Sequence, residues 1–203
     1  MGYIIVILLA YLMGCSNMAL YIAKLMKQDL RSGGTGNLGA SNTTILLGWR
    51  AGVAVGIHDI GKSALAVILA ELFFPDLPFI GALAGVASVL GHIFPFYLKF
   101  KGGKGFASFI GMSVALNWKI ALAVLALMVV VTLITDYLVA GTMTTIVLVP
   151  VSIGFMTQSV VVPLILLIAT AVITYKHREN FVRMYNGTEI GLKSTIKGEH
   201  KRK

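Results

Sequence analysis

The chain has 203 residues, of which 57% are hydrophobic and 12% charged, and its net charge is +9, from 17 Lys and Arg against 8 Asp and Glu. A soluble domain of this size cannot hide so much apolar surface, and the surface comes in long runs, so the class is a polytopic membrane protein. The basic excess reads as membrane topology and not as nucleic-acid binding, and the single cysteine, Cys15, excludes an internal disulfide.

Seven apolar segments follow one another, at roughly 3–23, 51–73, 79–98, 106–117, 118–135, 137–157 and 159–175. Most are expected to be helical, because unpaired backbone is too costly in hydrocarbon for open strands. Residues 3–23 lack the basic flank and cleavage site of a signal peptide and read as a span. The fourth segment is short for a span and also suits a re-entrant piece. The expected fold is therefore all-α, with about seven transmembrane helices in a single domain, 1–203, that ends in a short basic tail. Orientation follows from Lys and Arg. With the N-terminus outside, Lys24, Lys27, Arg31, Arg50, Lys99, Lys101, Lys104, Lys176, Arg178, Arg183, Lys193, Lys197, Lys201, Arg202 and Lys203 all fall inside. Only Lys119 falls outside, and Lys62 lies within a span. The positive-inside rule then gives an outer N-terminus and a cytoplasmic C-terminus.

Three polar stretches interrupt the oil, and this topology puts all three on the cytoplasmic side. The first, 33–42, interleaves Gly33, Gly34, Gly36 and Gly39 with Thr35, Asn37, Ser41 and Asn42. Glycines let successive N–H groups converge on an anion, and the small polar side chains add donors. The second, 91–108, sets Lys104 among Gly102, Gly103 and Gly105, just before an expected helix start, a suitable clamp for phosphate. Lys99 and Lys101 follow the positive-inside rule, and His92 and Pro95 read as a kink with a satisfied polar partner. The third, 176–191, places His177, Asn180 and Arg183 on one helix face, with Glu189 after a Gly187–Thr188 turn. Asp59 and Lys62, three apart inside a span, form an ion pair that serves as glue between helices or takes part in chemistry, with His58 beside it as a packing residue.

Two nucleotide-like patterns are set aside. Gly34, Gly36 and Gly39 match G-x-G-x-x-G, and Gly56, Gly61, Lys62 and Ser63 match a P-loop. Neither has the strand–loop–helix context that such binding needs. His, Cys and carboxylates are too scattered for a metal cluster.

Taken in order, these motifs resemble the acyl-phosphate-dependent glycerol-3-phosphate acyltransferases of bacterial membranes, the PlsY family. The resemblance rests on Asp29 and Arg31 through Gly34-Thr35-Gly36-Asn37 to Ala40-Ser41-Asn42. It continues in Gly91-His92-Ile93-Phe94-Pro95 and Phe100-Lys101-Gly102-Gly103-Lys104-Gly105, and ends in His177, Asn180, Arg183 and Gly187-Thr188-Glu189. It implies transfer of a fatty acyl group from acyl phosphate to the sn-1 hydroxyl of glycerol 3-phosphate, giving lysophosphatidate and phosphate, at the cytoplasmic face of a bacterial plasma membrane. Acyl phosphate, glycerol 3-phosphate and membrane lipid are the partners expected; no cofactor, metal, nucleotide or nucleic acid is. Lys104, His177 and Asn180 are the expected catalytic residues. Thr35, Gly36, Asn37, Ser41, Asn42, Gly102, Gly103, Arg183 and Glu189 are the expected substrate and phosphate ligands. Three positions depart from the family pattern: Ile45 and Gly191 stand where cations are usual, and Asp136 adds an anion. They leave room for a different polyol phosphate as acceptor. A transporter of a phosphorylated solute is the reading from another class.

Overall fold

A computed structural model describes residues 1–193; the tail positions Lys197, Lys201, Arg202 and Lys203 lie outside the described residues. Every regular element among the described residues is helical. In chain order they are α1 (Gly2–Cys15), α2 (Met18–Leu25), α3 (Ala40–Leu47), α4 (Trp49–Phe73), α5 (Ile80–Ile93), a 3-10 turn (Phe96–Leu98), α6 (Phe106–Leu116), α7 (Trp118–Thr135), α8 (Leu138–Thr157), α9 (Val161–Lys176) and α10 (Arg178–Tyr185). Five stretches are long and apolar enough to cross a membrane: Gly2–Leu25, Trp49–Phe73, Ile80–Leu98, Trp118–Thr135 and Leu138–Thr157. The pair α9 and α10, bent by 46°, makes a sixth if the two are taken as one span. The remaining expected segment is α6, apolar but only 11 residues long. The chain is thus an all-helical, multi-pass membrane protein. Large apolar side chains point outward along the spans, among them Ile4, Ile57, Ile134 and Phe155, while many buried side chains are polar. Hydrocarbon as the solvent accounts for this inversion.

The helices form two compact units, Met1–Asn117 and Trp118–Lys203. In the first, α1 packs on α5, α4 packs on α3, α5 and α6, and glycines bring the backbones close. A Cβ on Gly14 would strike the Ser88 carbonyl, one on Gly91 the Tyr11 carbonyl, and one on Gly111 the Ile60 carbonyl. Such close approach replaces the hydrophobic drive that lipid removes.

The first span is not continuous. It breaks at Ser16–Asn17, where Asn17 accepts from the Leu20 amide at 2.8 Å and starts α2. The carbonyls freed by the break find side-chain donors. Tyr97 Oη donates to the Cys15 carbonyl at 2.7 Å, and Lys62 Nζ donates to the Ser16 carbonyl at 2.6 Å. In the opposite direction, Tyr11 Oη donates to the Phe94 carbonyl beyond the end of α5 at 2.7 Å.

In the second unit α8 packs between α7 and α9. Pro150 lies within α8 and has no amide proton to give the Ile146 carbonyl. Thr170 of α9 supplies the missing donor, its Oγ1 reaching that carbonyl at 2.8 Å. A transmembrane proline is tolerated when a neighbouring helix re-satisfies the freed group in this way. Thr170→Val is therefore expected to cost about 1 kcal/mol of stability. In a Pro150→Ala background, where the substituted residue regains an amide that can take the carbonyl, the same change should cost much less. Thermal unfolding of the four proteins in detergent measures both values.

Candidate active site

The first motif folds as a tight loop that leads directly into α3. Gly34 and Gly36 adopt left-handed φ values of 57° and 67°, which a side chain would strain. Asn42, fully buried, holds the loop from inside: its Oδ1 accepts the Thr35 amide and its Nδ2 donates to the Leu30 carbonyl, both at 2.7 Å. The Gly36 amide closes a turn on Gly33 at 3.0 Å. The amides of Thr35 and Gly36 and the side chain of Asn42 thus maintain the loop itself. What the loop presents are the Thr35 and Ser41 hydroxyls and the Asn37 amide, all half-buried or exposed.

The second motif is strapped to the end of α5. The Gly102 amide donates to Ile93 O at 2.9 Å and the Gly103 amide to His92 O at 3.1 Å. The sequence suggested phosphate donors here; the structure engages both N–H groups in the strap. The glycines matter because they lack side chains. A Cβ on Gly102 would meet the His92 carbonyl, and one on Gly103 the His92 ring at Nε2. The strap delivers Lys104, half-buried, to Gly105, whose φ of 93° opens α6. Arg31 joins the first two motifs, its Nη2 donating to the Lys101 carbonyl at 2.6 Å. The spacing of residues gave no sign of that bridge.

Beneath the strap lies the intramembrane polar cluster. Lys62 Nζ meets Asp59 Oδ1 at 2.9 Å, His92 Nδ1 at 2.9 Å and the Ser16 carbonyl at 2.6 Å. An ammonium has three protons, and each has an acceptor. His92 Nδ1 is then the acceptor nitrogen, and the ring proton sits on Nε2, the atom that faces Gly103. His58 closes the group, with Nδ1 at 3.3 Å from Asp59 Oδ1 and Nε2 at 2.9 Å from Ser16 Oγ. The Asp59–Lys62 pair thus serves as glue: it satisfies a broken helix.

In the second unit, the third motif occupies the bend where α9 gives way to α10. His177 is 6% exposed, and its Nδ1 donates to the Ile173 carbonyl at 2.8 Å. A carbonyl only accepts, so the neutral ring carries its proton on Nδ1 and its lone pair on Nε2. Asn180 and Arg183 continue the same helix face. The turn through Gly187, with φ of 65°, is held by the Thr188 and Glu189 amides on the Arg183 carbonyl, at 2.8 and 3.1 Å. It returns Glu189 between the two side chains: Oε1 accepts from Asn180 Nδ2 at 2.6 Å, and Oε2 from Arg183 Nε at 2.7 Å. Arg183 Nη2 is buried without a hydrogen-bond partner. Glu189 thus acts first as the brace of its neighbours.

Comparison with known proteins agrees with these motifs. The family model described as glycerol-3-phosphate acyltransferase matches residues 4–187. The chain belongs to the glycerol-3-phosphate acyltransferase family. A glycerol-3-phosphate acyltransferase of Coxiella burnetii is 38% identical, over 95% of this chain and all of that one. Two crystal structures of PlsY, described as an integral membrane glycerol 3-phosphate acyltransferase, share the fold. The glycerol 3-phosphate form has a TM-score of 0.90 at 31% identity, covering 97% of this chain and 98% of that chain. The lysophosphatidic acid form has a TM-score of 0.87 at 30% identity, covering 98% of each.

The three departures from the family pattern have local settings. Ile45 lies beside the first loop, near enough that a Cβ on Gly34 would touch its Cγ2 at 3.4 Å. Asp136 and Gly191 meet each other: a Cβ on Gly191 would run into Asp136 Oδ2. The Asp136 carboxylate is engaged there, accepting the Lys193 amide at 2.9 Å.

Because Lys62 offsets a buried carboxylate, Lys62→Met alone should destabilise the protein by about 3–5 kcal/mol. Asp59→Leu combined with Lys62→Met should recover most of that loss, short of about 1 kcal/mol for the Ser16 carbonyl. Equilibrium unfolding in mixed micelles distinguishes the two variants.

Proposed function

We propose that this protein transfers a fatty acyl group from acyl phosphate to the sn-1 hydroxyl of glycerol 3-phosphate, releasing lysophosphatidate and inorganic phosphate. Membership of the glycerol-3-phosphate acyltransferase family supports the acceptor and the reaction class. So does likeness to one structure in a glycerol 3-phosphate form and another in a lysophosphatidic acid form. The observation that carries the mechanism is the third motif: a histidine with a fixed tautomer, braced beside an amide and a guanidinium.

Acyl phosphate is a mixed anhydride, so no covalent enzyme intermediate is needed. The acceptor hydroxyl oxygen bonds to the acyl carbonyl carbon. The bond from that carbon to the bridging phosphate oxygen breaks, and phosphate leaves with the electron pair. The hydroxyl proton passes to His177 Nε2, the lone-pair nitrogen, and from there to the departing phosphate. Lys104, at the start of α6, binds phosphate and offsets its charge. Asn180 orients the acceptor. Arg183 supplies a guanidinium whose buried Nη2 gains from an oxygen acceptor. Thr35, Asn37 and Ser41 contribute side-chain donors, while Gly36, Asn42, Gly102 and Gly103 hold the loops that carry them. Catalysis on this reading is positioning and electrostatics. We place the reaction at the cytoplasmic face of a bacterial plasma membrane, in one domain with its basic tail inside, as the Lys and Arg distribution favours.

Purified protein incubated with palmitoyl phosphate and a panel of phosphorylated polyols should release phosphate and form 1-acyl-glycerol 3-phosphate. Acylation of another polyol phosphate in preference would overturn the acceptor; no acyl product at all would overturn the reaction. Lys104→Ala and Asn180→Ala should each lose at least about 100-fold in turnover while still inserting and folding, a loss typical of removing one transition-state contact. Full activity in both would remove these residues from the site.

A further inference from the structure

Asp136 occupies the short junction between α7 and α8, with a left-handed φ of 64°. Left-handed backbone is uncommon outside glycine, and Asp is among the residues that tolerate it. The residue's acceptors converge on a distant piece of chain. Its backbone carbonyl accepts the Leu192 amide at 2.8 Å, and its Oδ1 accepts the Lys193 amide at 2.9 Å. Its Oδ2 lies where a Cβ on Gly191 would stand. Three consecutive residues are thus fitted to one aspartate. Only Ile190 separates this contact from Glu189, whose carboxylate braces Asn180 and Arg183. The segment from Arg183 to Lys193 is fixed at the Arg183 carbonyl, at the Glu189 carboxylate and at Asp136.

We propose that Asp136 is a positioning residue for the reaction: by latching residues 191–193 it sets where the Glu189 carboxylate stands, and so how Asn180 and Arg183 are held. Gly191 is the matching half of the latch, since any side chain there displaces the Asp136 carboxylate. Gly191 has no left-handed backbone that would itself require glycine, so its need is for space. The latch turns an added anion into a backbone ligand. A carboxylate that accepts N–H groups forms a charge-assisted bond stronger than a neutral one. An amide side chain in its place keeps the acceptor and loses the charge.

The kinetic part of this proposal rests on the acyltransferase reading; the latch itself does not, and the experiment separates the two. Full-length Asp136→Ala, Asp136→Asn, Gly191→Ala and the Asp136→Ala/Gly191→Ala double variant are assayed in detergent with palmitoyl phosphate and glycerol 3-phosphate. Backbone hydrogen exchange of residues 190–193 is followed in the same samples. Asp136→Ala should raise KM for glycerol 3-phosphate about tenfold, equivalent to one lost hydrogen bond, with the thermal midpoint held near wild type. Asp136→Asn should restore most of it. Gly191→Ala should be as harmful as Asp136→Ala, yet nearly silent when added to it. The Leu192 and Lys193 amides should exchange faster in Asp136→Ala and keep their protection in Asp136→Asn. Wild-type KM in Asp136→Ala, an Asn variant no better than Ala, or additive effects of the two sites would each overturn the proposal. If Asp136→Ala does not fold, wild-type kinetics and exchange in Gly191→Ala overturn it instead. If the wild type itself transfers no acyl group to glycerol 3-phosphate, the acyltransferase reading fails. Exchange then decides the latch: protection lost in Asp136→Ala and kept in Asp136→Asn upholds it, and unchanged protection in Asp136→Ala overturns it.

Discussion

The ammonium of Lys62 is the interaction on which the first unit depends. Its side chain is buried, and each of its protons has an acceptor: a carboxylate, an imidazole nitrogen and the carbonyl of a broken helix. A lone charge there would be prohibitive; so would a lone carbonyl. Together they are satisfied. The arrangement also fixes the His92 ring, against which the Gly103 backbone is laid, and the strap through Gly102 and Gly103 carries Lys104. A chain of contacts therefore runs from an ion pair inside a span to the cation proposed to hold phosphate. Each link is a hydrogen bond or a steric limit.

Both units follow one rule: an irregular stretch of backbone inside a span is completed by a side chain from elsewhere. Ser16 and Cys15 receive Lys62 and Tyr97; Ile146, deprived by Pro150, receives Thr170. At the bend after α9 the contact is local: the Ile173 carbonyl accepts both the His177 amide, at 3.1 Å, and its Nδ1, at 2.8 Å. Among the buried polar side chains, Asn17, Lys62 and Thr170 thus answer a backbone need.

Much of this was legible in the sequence. The long apolar runs mark their helices closely, because hydrocarbon leaves the backbone few alternatives: 118–135 is α7, and 51–73 falls within α4. His177, Asn180 and Arg183 share a face because three-residue spacing on a helix requires it. Other features were hidden for physical reasons. The break at Ser16–Asn17 carries no proline, and its signal, an Asn three residues before a capped amide, is weak beside an apolar run. The helix α3 follows a loop so rich in glycine and small polar residues that its start is masked. A glycine in a string of letters does not say whether its amide or its missing side chain matters; at Gly102 and Gly103 it is the missing side chain. The pairing of Asp136 with Gly191 joins residues far apart in the chain, and a single sequence holds no trace of it.

The exchange of tyrosines between α1 and the end of α5 bears on how the protein is made. Tyr11 completes the Phe94 carbonyl, and Tyr97 completes the Cys15 carbonyl, so each terminus is finished by a residue from the other. During synthesis Cys15 is made well before Tyr97. Until Tyr97 is made the Cys15 carbonyl lacks the donor it has in the finished fold, so the first crossing is completed only by the third.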